Sequence, residues 1–523
     1  MKRKLVATLL AASMVLSLAA CGDTPVAQES TPAGAETQGA DEWEAPTEIE
    51  FVVNGNLGTT IEAGQEAVIE QWEAATGVGL KITQLDHSNY RDQVGTLLAG
   101  GDYPDAMIMT AEMYAQYAPT GILWDMTEAF ENAEFYNRIT KPLVNEAMKI
   151  DGRLYGFAAR IGNGAITYVK KTWLDAVGMK AEDIKTFEDY LNLLRAFKNG
   201  DPDGNGINGD TYGTAAAGFL NLEAPYVQYL PEFWQDAFPN IYEKDGVWVD
   251  GFQEQASLDA LQRLQDAYKE GLIDPNSLTW GTKDVRENYW KADQKASFGV
   301  WTYWAGLWAK NAMDGFAKND LKDEDLVWLD PIEEVGLYYD RQAPVYVIFD
   351  DGDGDDRREQ FIFDKLMATM VDGGEVQMLW CYGAEGVHWS KAAETITVGD
   401  KEYTYEEGQF HLLPNPTNPA TLWSKNMNDP LLTITPFQGD YADCVDADKY
   451  VNDTSAYFAA HCKMAPAAPA SEVYSDYSGD INDAKTKAVA KIVTEGVPVA
   501  EAMAEYVKTV GAQVEEALAD LNK

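Results

Sequence analysis

Hydrophobic and polar positions change period several times between residues 48 and 109. Ile49, Phe51 and Val53 alternate with other residues, which predicts a strand. Over residues 62–75, Val68, Ile69, Trp72 and Ala75 fall on one helical face, and Gly77 stops that helix. Val78, Leu80 and Ile82 alternate again. Tyr90, Val94, Leu97 and Leu98 return to helical spacing, Gly100 and Gly101 end it, and Asp105–Met109 reads as a third strand. Strand and helix in this order predict a parallel α/β sheet with right-handed crossovers. Ligands of such sheets sit beyond the carboxyl ends of the strands, which singles out the loops Asn54–Thr60, Asp86–Tyr90 and Thr110–Tyr114. Asn54, Asn56, Asp86 and Tyr90 are the candidate binding residues there. At the far end, residues 482–523 carry apolar positions at helical spacing and predict packed helices.

The N-terminus follows another pattern. Lys2, Arg3 and Lys4 precede an uncharged run over residues 5–20, which suits a secretory signal better than a membrane span. Leu18-Ala19-Ala20-Cys21 resembles a bacterial lipobox, in which the cysteine thiol is acylated and becomes the new N-terminus. No later segment reaches the roughly 18 consecutive apolar residues that a span needs. The expectation is a chain anchored by lipidated Cys21 to the outer face of the cell membrane. Residues 22–46 are rich in Thr, Pro, Ala, Gly and acids and read as a flexible tether.

Charge and cysteine usage narrow the partners. Forty basic against 85 acidic residues give a net charge of -45, which disfavours nucleic acid and anionic lipid surfaces. Beyond Cys21 only Cys381, Cys444 and Cys462 remain, too few for a disulfide scaffold, though Cys444 and Cys462 could pair in an oxidising exterior. No CxxC or HExxH occurs and the four histidines are scattered, so zinc is not expected.

Residues 71–109 (QWEAATGVGLKITQLDHSNYRDQVGTLLAGGDYPDAMIM) are similar to the opening lobe of family 1 extracellular solute-binding proteins. A helix ends in E-x-x-T-G, a strand follows, and a second helix ends in L-A-G-G-D before P-D and another strand. Gly121–Thr127 resembles the family's G-x-L-x-D-L-T. Residues 151–178, 271–275 (GLIDP), 295–308 (KASFGVWTYWAGLW) and 382–389 (YGAEGVHW) resemble further landmarks in the same order. The resemblance implies a two-lobed, type II periplasmic-binding-protein-like α/β fold with a ligand cleft between hinged lobes. It places the crossings near 158, 299 and 343. Lobe one is then 47–158 plus 299–343, and lobe two 159–298 plus 344–523, after a signal peptide (1–20) and tether (21–46). It also implies ABC permease subunits as partners, a monomeric binding protein and no catalysis.

One motif points to a metal. Residues 201–213 read DPDGNGINGDTYG. Asp201, Asp203 and Asn205 occupy positions 1, 3 and 5 of an EF-hand-like loop. Gly206 supplies the turn, and the Ile207 carbonyl is the seventh-position ligand. Position 12 is Tyr212 in place of Glu, so Asp210 is the substitute ligand for a structural Ca2+. A solvated Asx/Gly turn is the plain alternative. The acidic run Asp350–Asp356 lacks this spacing and reads as a solvated turn.

The 15 Trp and 27 Tyr suggest a carbohydrate ligand, an oligosaccharide in particular, because aromatic faces stack on sugar rings. The candidates are Trp301, Tyr303 and Trp304, then Trp234, Trp389 and Glu385, with Arg160 and Asn163 just past the first crossing. Each aromatic is otherwise ordinary core packing. Among rival functions, a glycosidase needs a carboxylate pair that no spacing marks, and no GxSxG indicates an α/β-hydrolase. The same fold serving a peptide or other solute, and surface glycan capture without a transporter, remain the alternatives.

Overall fold

The structure is a computed structural model that describes residues 43–54, 65–85, 90–101, 103–138, 145, 148–158, 164–220, 229–319, 321–322, 325–340, 345–371, 374–415, 418–422 and 449–523. The chain divides into residues 1–44 and a compact unit from Ala45 to Lys523, which is the unit described below. In chain order the strands of the two larger sheets are β1 (Glu48–Asn54), β2 (Gly79–Leu85), β3 (Ala106–Met109), β4 (Ala165–Lys170), β5 (Tyr212–Thr214), β6 (Phe298–Trp304), β7 (Leu326–Trp328) and β8 (Val345–Ile348). The helices used below are α1 (Gln65–Thr76), α2 (Tyr90–Ala99), α3 (Phe187–Asn199), α4 (Gln255–Glu270), α5 (Glu472–Glu495) and α6 (Val499–Leu521).

The first sheet has the order β8-β3-β1-β2. β1 runs parallel to β2 and β3, and β8 joins antiparallel at the edge. Both faces are buried, and the side-chain period of two divides them cleanly. Ile49, Phe51, Val53, Ile108 and Tyr346 enter one core with Trp72, Phe157 and Trp380. Val52, Met107, Met109, Val345 and Val347 enter the other, with Tyr90, Val94 and Tyr114.

The second sheet is mixed, with the order β5-β6-β4-β7. β4 is antiparallel to β6 and to β7, while β5 runs parallel to β6. A separate core gathers around it from β4, α3, α4, β6, α5 and α6. The local reasons are visible. Thr186 caps α3 and forms a reciprocal capping box with Asp189. Tyr190, Leu193, Leu194 and Phe197 then repeat on its inner face. Gly213 lets β5 pass under that face, since a Cβ there would lie 2.6 Å from the Leu194 Cβ.

The order of crossings differs from the expectation. β6 lies inside the second sheet, and residues 305–340 remain with it through β7 and through Tyr338, which packs in the second core. The chain therefore does not return to the first lobe at 299. It returns between Asp340 and Val345, where β8 pairs with β3. Residues 345–384 supply the first core with Phe363, Leu366, Trp380 and Ala384, and α5 and α6 belong to the second. The first lobe is thus built from the segment before Ala158 and from the segment that β8 opens. The described residues of 299–340 belong to the second lobe. A fully buried strand carries no face polarity, and so nothing in its own pattern says which sheet it joins. Among the described residues, no helix is long and apolar enough to cross a membrane.

Candidate functional site

Pairing registers locate the end of each sheet at which the lobes meet. β8 starts at Val345 opposite Met109, the last residue of β3, so the chain enters the first sheet at the carboxyl ends of its parallel strands. Phe157 bridges Tyr346 at the same end just before the chain leaves. In the second sheet β4 starts at Ala165 opposite Trp304, the last residue of β6. The carboxyl ends of β1, β2 and β3, the start of β4 and the end of β6 therefore all face the crossings. This is the crevice position expected of open α/β sheets.

Aromatic rings crowd the second lobe's side of this edge. The Trp301 ring stacks on Tyr303 with centroids 4.1 Å apart and planes at 15°. Tyr229 stacks on Tyr303 at 6.2 Å and meets Trp304 edge-on at 5.9 Å. Tyr289 closes the inner end against Trp301 at 5.2 Å. Arg286 reaches the Tyr303 hydroxyl at 3.5 Å and lies over the Trp290 ring. Trp301, Tyr303 and Trp304 are 3 %, 3 % and 5 % exposed, so all three rings are packed within the second core.

Beside this tier lies a buried polar group that the sequence reading missed. Glu232, in the short helix Pro231–Trp234, accepts a hydrogen bond from the Thr167 hydroxyl at 2.5 Å. Thr167 in turn lies 2.9 Å from the Thr302 hydroxyl on the neighbouring strand. The second Glu232 oxygen has no hydrogen-bond partner among the described residues. Burial pushes this carboxyl up to about 7, against the hydrogen bond from Thr167, which lowers it. Its signal in the sequence is a lone acid inside the apolar run of residues 229–234.

Other predicted residues sit elsewhere. Trp234 is wholly enclosed in the second core and lines no cleft. Tyr90 is buried, and its hydroxyl donates to the Ile108 carbonyl at 2.5 Å, so it fastens α2 to β3. Trp389 donates its indole N–H to the Gly383 carbonyl at 2.7 Å and stacks on Phe410. His388 accepts from the Ala384 amide, and the Glu385 backbone exchanges hydrogen bonds with the Gln71 side chain on α1. These contacts make the YGAEGVHW element a brace of the first lobe. Trp234 is thus enclosed in the second core, while Tyr90 and Trp389 spend their polar atoms on carbonyls of the first lobe. Asn54 ends β1 at the crossing edge. Its side chain lies outside the described residues, as do Asn56, Asp86, Arg160, Asn163 and Cys21.

The 201–210 loop joins α3 to β5. Asp201 accepts from the Asn205 and Gly206 amides, each at 2.9 Å. The Asn205 side-chain amide donates to Asp203 at 2.9 Å and to Asp210 at 2.8 Å, and its oxygen accepts from the Ile207 amide. Gly204, Gly206 and Gly209 take positive φ, as such a tight wrap requires. Asp203 is buried, and burial together with Asp201 and Asp210 raises its carboxyl above the usual range. Among the described residues no group of three or more His, Cys, Asp or Glu is already drawn together at metal-binding distance. Here the Asn205 amide bridges two of the carboxylates, and Ile207 is exposed. The 350–356 run instead caps its own backbone through Asx turns, and Arg357 pairs with Asp355.

Residues 67–314 match the profile of a family described as bacterial extracellular solute-binding protein. Lipoprotein LipO of Bacillus subtilis is 27% identical over 205 residues, 38% of this chain and 40% of that protein. The diacetylchitobiose binding protein DasA of Streptomyces coelicolor is 29% identical over 195 residues, 37% of this chain and 43% of that protein. The chain therefore spans about two fifths of the length of these relatives. Among solved structures, an HMO-binding, ABC-transporter-associated solute-binding protein of Bifidobacterium longum infantis superposes with a TM-score of 0.62 at 15% identity, covering 92% of this chain and 98% of that one. An EF-hand mutant of the Streptococcus pneumoniae substrate-binding protein FusA, in complex with fructo-nystose, gives a TM-score of 0.58 at 16% identity, covering 91% and 98%. At those identities the likeness speaks for the two-lobed fold.

Proposed function

We propose, from a chain whose residues 67–314 belong to the bacterial extracellular solute-binding proteins, that it captures an oligosaccharide between its lobes and hands it to an ABC permease. The observation that carries the reading is the tier of Trp301, Tyr303, Tyr229 and Trp304 at the crossing edge of the second sheet. Aromatic rings at the crossing edge of the second sheet suit the C–H faces of a sugar ring. Asn54, Asn56, Asp86, Arg160 and Asn163 are assigned to the opposite wall and the hinge by their place in the chain. Glu385 is left as a residue of the first-lobe brace. Three of the relatives and neighbours named above are described as binding proteins with a sugar in their descriptions. The role assigned here is accordingly binding without catalysis.

Two accessory features complete the proposal. Cys21 is the lipid anchor that holds the protein outside the cytoplasm, and residues 1–20 are the signal removed to leave acylated Cys21 as the new N-terminus. The 201–210 loop holds a structural Ca2+ through Asp201, Asp203, Asn205, Asp210 and the Ile207 carbonyl. Its oxygen-only donors and the raised Asp203 carboxyl fit a hard cation, which would relieve the crowding of like charges. Bound there, calcium would tie the end of α3 to β5 and take no part in ligand chemistry.

Thermal shift of the purified protein against kestose, diacetylchitobiose, larger oligosaccharides and peptides, each with saturating calcium, tests the reading. A rise in melting temperature with a sugar and none with peptides is the expected result. A rise with peptides alone keeps the fold and overturns the ligand class. Turnover of a chromogenic glycoside would sink the assignment as a binding protein.

A further inference from the structure

The two lobes touch away from the chain crossings, and the contact is specific. Arg91 stands one residue into α2, next to Tyr90, whose hydroxyl is fixed to β3. Its guanidinium donates to the Ser478 hydroxyl oxygen at 3.2 Å. Ser478 belongs to the first half of α5, and the rest of that helix fills the second core through Ile481, Ala484, Ala488 and Ile492. The Ser478 hydroxyl gives its own proton to the Ser475 carbonyl at 2.9 Å, so its oxygen is left to accept from Arg91. Tyr474, one turn earlier on α5, is largely enclosed. Its phenol feels the charges of Arg91 and of Glu112, both first-lobe residues. Both ends of the contact are therefore rigid: α2 is pinned by Tyr90, and α5 is clamped between α4 and α6.

We infer that Arg91 and Ser478 form a latch between the lobes that favours the closed arrangement and so sets ligand affinity without touching ligand. Separating the lobes breaks this bond, whereas the chain crossings persist in either arrangement. Arg91 is then a positioning residue, because any binding-competent closed state is populated in proportion to the latch. The inference uses the two-lobed fold and is independent of which solute is bound.

Small-angle X-ray scattering of the purified full chain without ligand reads the balance directly. Losing a hydrogen bond to a cationic donor at a partly exposed site changes a closed-to-open ratio about three- to tenfold. Arg91→Ala and Ser478→Ala are each expected to enlarge the radius of gyration by the same amount. The double variant should go no further than either, and Arg91→Lys should recover part of the closure. Unchanged scattering in both single variants, with melting points within about 2 °C of the parent, overturns the latch. Opening in Arg91→Ala but not in Ser478→Ala overturns it too, since Arg91 then acts through another group. Because Arg91 is exposed, its variants keep the test alive even where Ser478→Ala fails to fold.

Discussion

Glu232 shows how one residue links burial to pH. Its carboxyl is held near 7 by desolvation, whereas an unfolded chain returns it to about 4.5. The folded state thus binds a proton that the unfolded state releases between those two values. Stability contributed by this group is full below about pH 4.5 and is lost as pH rises through 7. The loss amounts to roughly 3 kcal/mol. Glu232→Gln keeps an acceptor for the Thr167 hydroxyl and abolishes the titration. The variant is expected to gain melting temperature on the parent from pH 5 to pH 8, and a constant difference over that range would show that Glu232 does not titrate there. The crevice aromatics allow a second test at this scale. Trp304→Ala should weaken binding of the identified sugar at least about tenfold, measured by isothermal titration beside a melting curve. Unchanged affinity in a folded variant would remove Trp304 from the ligand wall. These two residues also mark how far the sequence could be read. The Trp301, Tyr303 and Trp304 cluster stands out in the sequence because neighbouring large rings are rare, and the structure packs all three into the second core. Trp234 was misjudged because a ring that fills a core and a ring that faces a cleft look alike in one dimension. Glu232 was missed because its acid is unusual only once its neighbours are known to be buried.

At the scale of elements, local signals carried well and long-range ones did not. The period-two and period-3.6 patterns of β1, α1, β2, α2 and β3 predict what forms, within a few residues. The membership of β6 was not legible, since all seven of its residues are buried and no polar face orients it. What holds β6 in place is close approach. A Cβ on Gly299 would lie 2.4 Å from Trp173 and 2.7 Å from Phe197, both fully buried. Gly299→Ala is expected to cost about 2–3 kcal/mol through overpacking, read from urea unfolding, and a neutral result would mean that α3 yields. The 201–210 loop carries the other element-scale prediction. If it holds calcium, the metal raises the melting temperature by mass action and a chelator removes the gain. Asp203→Asn should abolish most of that gain, whereas Asp353→Asn in the solvated 350–356 turn should leave it intact. An equal calcium effect in the Asp203→Asn variant would assign the ion elsewhere.

Among the described residues, two lobes share no sheet, the first with a core on each face of its sheet and the second with one core, and the Arg91–Ser478 hydrogen bond joins them away from the chain crossings. Such lobes have separate stabilities, because the apolar area that holds each is buried within it. Neither lobe alone offers a complete site, if the carboxyl ends of β1–β3 form one wall and the aromatic tier the other. A ligand held by both walls binds only when both lobes are folded. It must therefore stabilise the two together, by about 2.7 kcal/mol at a hundredfold excess over the dissociation constant. Differential scanning calorimetry of the purified protein is expected to show separable or broadened transitions without ligand. With saturating oligosaccharide these should move upward and sharpen into one. If the sugar lifts a single transition and leaves the other in place, one lobe carries the whole site. Lobe closure, and with it the interlobe cleft as the place of capture, would then have to be given up.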